Sequence, residues 1–120
     1  MDEISLTLPA DDAFHRVAHL VLGGFAARLD LTFENLEDVE LALDTLLERC
    51  GGNSEITVRV SVEDDELHTV VGPCGARILS DLDREAGADL DLRRILEAVC
   101  DRVDVADGHV ALTKRIDTNR

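Results

Sequence analysis

Residues 32–50, TFENLEDVELALDTLLERC, followed by Gly51-Gly52, decide how this chain is read. The stretch predicts one amphipathic helix. Thr32 suits the N-cap, and Glu34, Glu37 and Asp38 place negative charge at the positive end of the helix dipole. Arg49 falls in the last turn, and Gly51 can take the left-handed cap that ends a helix. Leu36, Val39, Leu43, Leu46, Leu47 and Cys50 recur at spacings of three and four and share a face. Glu37, Glu40, Asp44 and Glu48 lie mostly on the other side. Asp44 and Glu48, four apart, read as an exposed charge pair or the remnant of an ion site.

Outward from this helix, Ile4, Leu6 and Leu8 alternate with Ser5 and Thr7, which predicts a strand ended by Pro9. Asp11 or Asp12 can cap a helix running to about Leu29, with Phe14, Val17, Ala18, Val21, Phe25 and Leu29 on its buried face. Gly23-Gly24 weaken that helix by about 1 kcal/mol each, and close packing against a neighbour is the expected reason. Beyond Asn53 the period changes to two. Ile56, Val58, Val60 and Val62 predict a half-buried strand, Glu63 to Glu66 an acidic turn, and Leu67, Thr69 and Val71 the return strand of a hairpin. Gly72-Pro73-Cys74-Gly75 breaks it. Ile78, Leu79 and Leu82 suggest a short helix. Leu92, Ile95, Leu96, Val99 and Val103 predict a third long helix, and Val103 to Val105 with His109 to Ile116 the closing strands around Asp107-Gly108. This order predicts an α+β two-layer sandwich: a mixed or antiparallel sheet with three long helices on one face.

At 120 residues the chain is expected to form one domain, residues 1–120. The formal charge of −14 argues against a nucleic-acid surface, since phosphates are repelled. It suits a partner with a basic patch. No apolar run approaches the ~20 residues of a membrane span, and no signal peptide is visible, so a cytoplasmic protein is expected. Cys50, Cys74 and Cys100 are odd in number and widely spaced, which indicates neither a zinc site nor a disulfide framework. Cys50 and Cys100 sit on or beside apolar stripes. Cys74 differs in lying in a loop between Pro73 and Gly75, but a reactive thiol needs a lowered pKa and only Arg77 offers a cation nearby, so no redox role is expected. His15 and His19 have the i, i+4 spacing of a metal pair but no evident third ligand.

Leu41-Ala42-Leu43-Asp44-Thr45-Leu46-Leu47-Glu48-Arg49 resembles the signature helix of the histidine-kinase-like ATPases, in particular the bacterial anti-sigma-factor serine kinases. The element order matches theirs over nearly the whole chain. Leu8-Pro9-Ala10-Asp11 with Phe14 and Val17 to Leu22 resembles the family's opening. Leu90 to Val103 resembles the helix after its ATP lid. The resemblance implies the histidine-kinase-like fold, a homodimer, and a sigma factor or an anti-sigma-factor antagonist as partner.

The nucleotide motifs that the resemblance would carry are altered. Thr45 stands where the family has a catalytic glutamate, and Arg49 where it has a magnesium-binding asparagine. A threonine is no base at neutral pH, and an arginine has donors only. Val71-Gly72-Pro73-Cys74-Gly75 occupies the place of the family's adenine-reading aspartate and its glycines, with no carboxylate in register. Gly87-Ala88-Asp89-Leu90-Asp91 aligns with the glycine-rich lid, but Asp89 and Asp91 replace two glycines. Phosphate cradles need bare backbone amides, and carboxylates there repel the ligand. Asp44, Thr45, Glu48, Arg49, Gly72, Gly75, Gly87, Asp89 and Asp91 are therefore candidates for a degenerate nucleotide site, with no catalytic residue and no cofactor expected. The leading expectation is a regulatory protein-binding domain with a decayed ATP site. The rivals are an active serine/threonine kinase using ATP and magnesium, and a structural subunit.

Overall fold

The computed structural model describes residues 3–9, 12–49, 55–74 and 92–116. Five strands form one antiparallel sheet in the order β1-β2-β3-β5-β4. They are β1 (Glu3–Pro9), β2 (Glu55–Glu63), β3 (Glu66–Gly72), β4 (Arg102–Ala106) and β5 (His109–Arg115). Among the described residues three α-helices accompany them: α1 (His15–Leu29), α2 (Phe33–Arg49) and α3 (Leu92–Val99). The class is the expected α+β sandwich. Residues 75–91, with the suggested helix at Ile78 to Leu82, lie outside the described residues.

Alternation along the strands sets the inner face. Val58 pairs with Leu6 and Val71, and Val71 with Val110. Val60, Thr69, Leu112 and Val103 form the next row. All of these except the half-buried Leu6 are buried. The hairpin turns follow from local chemistry. Asp64 and Asp65 between β2 and β3, and Asp107 and Gly108 between β4 and β5, all have positive φ. Two-residue loops of that kind match the twist of antiparallel strands.

α2 lies as the sequence predicts. The Asn35 amide donates to Thr32 Oγ1 at 3.2 Å, so Thr32 caps the helix. Val39, Ala42, Leu43, Leu46 and Leu47 are buried against the sheet. α1 differs on two points. A 3-10 turn, Asp12–Phe14, precedes it, and Phe14 occupies the N-cap with no side-chain capping bond. Its buried residues are Ala18, Leu22, Phe25 and Ala26. Phe14 and Val17 are exposed and Val21 half-buried, so the helix is rotated relative to the stripe expected. Close packing does not explain Gly23-Gly24 either: a Cβ at either position would meet no atom within 4 Å.

The third helix is shorter than expected. It ends at Val99, and Val103 belongs to β4. Lys114 accounts for part of the change of direction. The inward row of β5 runs Val110, Leu112, Lys114. Lys114 is 14% exposed; its Nζ donates to the Val99 carbonyl at 2.9 Å and pairs with Asp38 Oδ2 at 3.0 Å. The chain's one lysine thus ties the last turn of α3 to α2. A cation there also suits the negative end of the helix.

Candidate functional site

The residues singled out along α2 separate into different environments. Asp44 turns toward α1, where its Oδ1 meets His19 Nε2. His19 Nδ1 lies 2.8 Å from Glu40 Oε2. One imidazole is therefore gripped by two carboxylates one helical turn apart. His19, which the sequence offered only as half of a metal-spaced pair, instead bridges two helices at 30% side-chain exposure. Glu48 is exposed and takes no part in this cluster. The pairing of Asp44 with Glu48 as an ion site is replaced by the His19 contact. Among the described residues no group of three His, Cys, Asp or Glu side chains is placed to hold a metal ion.

Burial alone lowers the His19 pKa, but the Asp44 hydrogen bond and charge, with Glu40 behind them, outweigh it and leave the pKa raised. The sign follows from linkage. A raised folded-state pKa gives stability that is complete below the unfolded value near 6.5 and is lost as pH rises through the folded value. Stability is thus expected to fall across that window above pH ~6.5, a slope that His19→Gln should reduce. Denaturant melts at several pH values check it; equal slopes in both proteins would remove His19 from the account.

Thr45 stands one residue beyond Asp44. Its hydroxyl donates to the Leu41 carbonyl at 2.8 Å, folding the side chain back onto its own helix. Arg49 ends α2. A hydroxyl committed to a carbonyl and a side chain without lone pairs are a donor set that does not match a magnesium ion, which takes oxygen ligands.

At the end of β3, Gly72 is buried for a packing reason. A Cβ there would sit 2.4 Å from Cδ2 of His109, whose ring is held by a hydrogen bond between Nδ1 and the Asp107 carbonyl at 2.9 Å. The Cys74 amide donates to the Gly108 carbonyl at 2.8 Å, tying this loop to the β4–β5 turn. Cys74 is disulfide-bonded, which corrects the expectation of no disulfide. Cys100 is a free, buried thiol whose pKa is pushed up to about 11 by burial, the condition of an inert cysteine. Cys50, Gly75, Gly87, Asp89 and Asp91 lie outside the described residues, so the lid positions are not brought into this geometry.

Sequence reasoning missed three features here: the His19 bridge, the Lys114 tie and the His109–Gly72 contact. Only Lys114 carried a local signal, since period two places it in the inward row with Val110 and Leu112.

This arrangement, a five-stranded antiparallel sheet under the described helices α1 to α3 with α2 between the other two, resembles the fold of the histidine-kinase-like ATPases. The crystal structure of the RsbU and RsbW domains of Rv1364c from Mycobacterium tuberculosis matches 97% of this chain with a TM-score of 0.71, at 18% identity and over 33% of that chain. That likeness shows the fold. The sequence is 27% identical to the serine-protein kinase RsbW of Bacillus velezensis over an 85-residue alignment, covering 62% of this chain and 51% of the relative. The serine-protein kinase RsbW of Bacillus subtilis gives 27% over 84 residues, with the same coverage. No family model matches the chain. The chain spans about half the length of these relatives. The resemblance to the anti-sigma-factor serine kinases of the histidine-kinase-like superfamily therefore holds in sequence and in fold.

Proposed function

We propose that this chain is a regulatory domain of the anti-sigma-factor kinase type that acts by holding a protein partner, with a nucleotide site that no longer takes Mg-ATP. The observation that carries the reading is Thr45. At the position where the resemblance places the catalytic carboxylate, the side chain is a hydroxyl bonded to the Leu41 carbonyl. Losing the carboxylate removes the base, while the scaffold around it stays packed: Ala42, Leu43 and Leu46 beside it are buried. A folded scaffold without its ligand chemistry still functions through its surface.

The partner on this reading is a sigma factor or an anti-sigma-factor antagonist, the setting is the cytoplasm, and the chain is the homodimer that the resemblance implies. The charge of −14 favours a basic contact patch on the partner. Complementary charge mainly speeds association and is screened by salt, with a Debye length of about 10 Å at 0.1 M. Affinity capture followed by binding kinetics at several salt concentrations tests this. Recovery of a sigma factor or its antagonist, with an association rate falling steeply as salt rises, is expected. Transfer of phosphate from ATP to the captured partner would instead favour the active kinase.

A further inference from the structure

The six acidic residues of α2 divide by the side of the helix on which they stand. Glu40 and Asp44 grip His19 of α1, and Asp38 pairs with Lys114 of β5. These three stand on the flanks of the helix and hold it to its neighbours. Glu34, Glu37 and Glu48 stand between the flanks, on the crest opposite the buried row of Val39, Leu43 and Leu46. They are exposed and take no ion-pair partner among the described residues. The same crest carries two large apolar side chains: Phe33 is 73% and Leu41 49% exposed. Phe33, Glu37 and Leu41 follow at intervals of four, with Glu48 seven further on, so they line one side of the helix. The row is about 22 Å long.

We infer that the crest of α2 is a docking surface for a basic amphipathic helix of a protein partner. The occupant follows from the two kinds of side chain together. A recognised helix presents apolar anchors at helical spacing, and Phe33 and Leu41 offer such a row its contact. Covering an aromatic and an aliphatic side chain that now face water supplies the drive. The three free carboxylates set the sign of the rim. Arginines or lysines flanking the partner's apolar row meet Glu37 between the anchors, with Glu34 and Glu48 toward the two ends. The same charge repels a nucleic acid. Docking there leaves the fold's own contacts in place, because the acids that hold α1 and β5 stand on the flanks. The inference rests on the functional reading for the existence of a regulated partner, and adds the face and the chemistry of the contact.

The probe is a synthetic fluorescent peptide with leucines at helical spacing and arginines flanking them, titrated with the full chain and followed by anisotropy. One control peptide has the same residues in scrambled order, and a second has glutamates in place of the arginines. The ordered basic peptide is expected to bind, and both controls at least about tenfold more weakly, equivalent to about 1.4 kcal/mol. Leu41→Ser and Glu37→Lys change exposed side chains, and circular dichroism confirms that each variant folds. Either is expected to raise the Kd for the ordered peptide at least about tenfold. No saturable binding, a scrambled peptide that binds as tightly, or binding that neither variant moves overturns the proposal. An apparent affinity that falls as the chain's own concentration rises means that a second copy covers the crest, and also overturns it. The functional reading fails separately. Capture that recovers no sigma factor or antagonist counts against that reading and leaves the peptide result standing. A captured partner whose affinity Leu41→Ser leaves unchanged removes the crest and leaves the reading.

Discussion

Leu43→Ala is expected to lower the free energy of unfolding by about 2–5 kcal/mol. Leu43 is 1% exposed and sits among Val39, Ala42, Leu46 and Leu47 on the sheet-facing side of α2. Truncation removes the transfer free energy of the lost carbons, and the cavity left behind adds to the cost. Because α2 contacts both α1 and α3 as well as the core, little of that cavity can collapse without moving a neighbour. Denaturant melts measure the effect. A change within about 0.5 kcal/mol, the range of an ordinary surface substitution, would mean that the face of α2 is wrongly assigned.

Gly72→Ala is expected to cost about 1–3 kcal/mol, the usual range for overpacking. The new Cβ falls 2.4 Å from the His109 ring, and the hydrogen bond to the Asp107 carbonyl holds that ring in place. The resemblance would make this glycine part of a nucleotide loop; its surroundings make it a packing residue. The two explanations separate in the double variant. Adding His109→Ala to Gly72→Ala is expected to recover most of the lost stability, because the obstacle has gone. Equal losses with and without His109 would contradict the contact.

Local chemistry explains which elements were legible in the sequence. α2 was readable because its cap, its charge placement and its apolar spacing agree with one another. The β2–β3 hairpin was readable because strict alternation brackets a two-residue acidic turn. α1 was misread because Phe14, Val17, Leu20, Val21, Leu22 and Phe25 put apolar side chains nearly all round the helix. Periodicity then cannot choose the buried face, and contact with α2 and the sheet chose Ala18, Leu22, Phe25 and Ala26. α3 ended early because Val99 and Val103 fit a helical spacing that ignores the strand beginning at Arg102.

The candidate site was legible in its substitutions and illegible in its contacts. Thr45 and Arg49 depart by residue type alone from the family pattern that the chain resembles. That Asp44 serves His19, 25 residues earlier, and that Gly72 serves His109 are facts of the folded chain, since such partners meet only in three dimensions. The two together give a physical picture of the site: one candidate is engaged in joining helices, another in fitting beneath a ring.

The central claim is that this fold has kept its scaffold and lost its nucleotide. Calorimetric titration of the full chain with Mg-ATP, and with Mg-ADP in parallel, tests it most directly. The account predicts no binding tighter than a Kd of about 1 mM, or about −4 kcal/mol. Saturable binding in the micromolar range would contradict it.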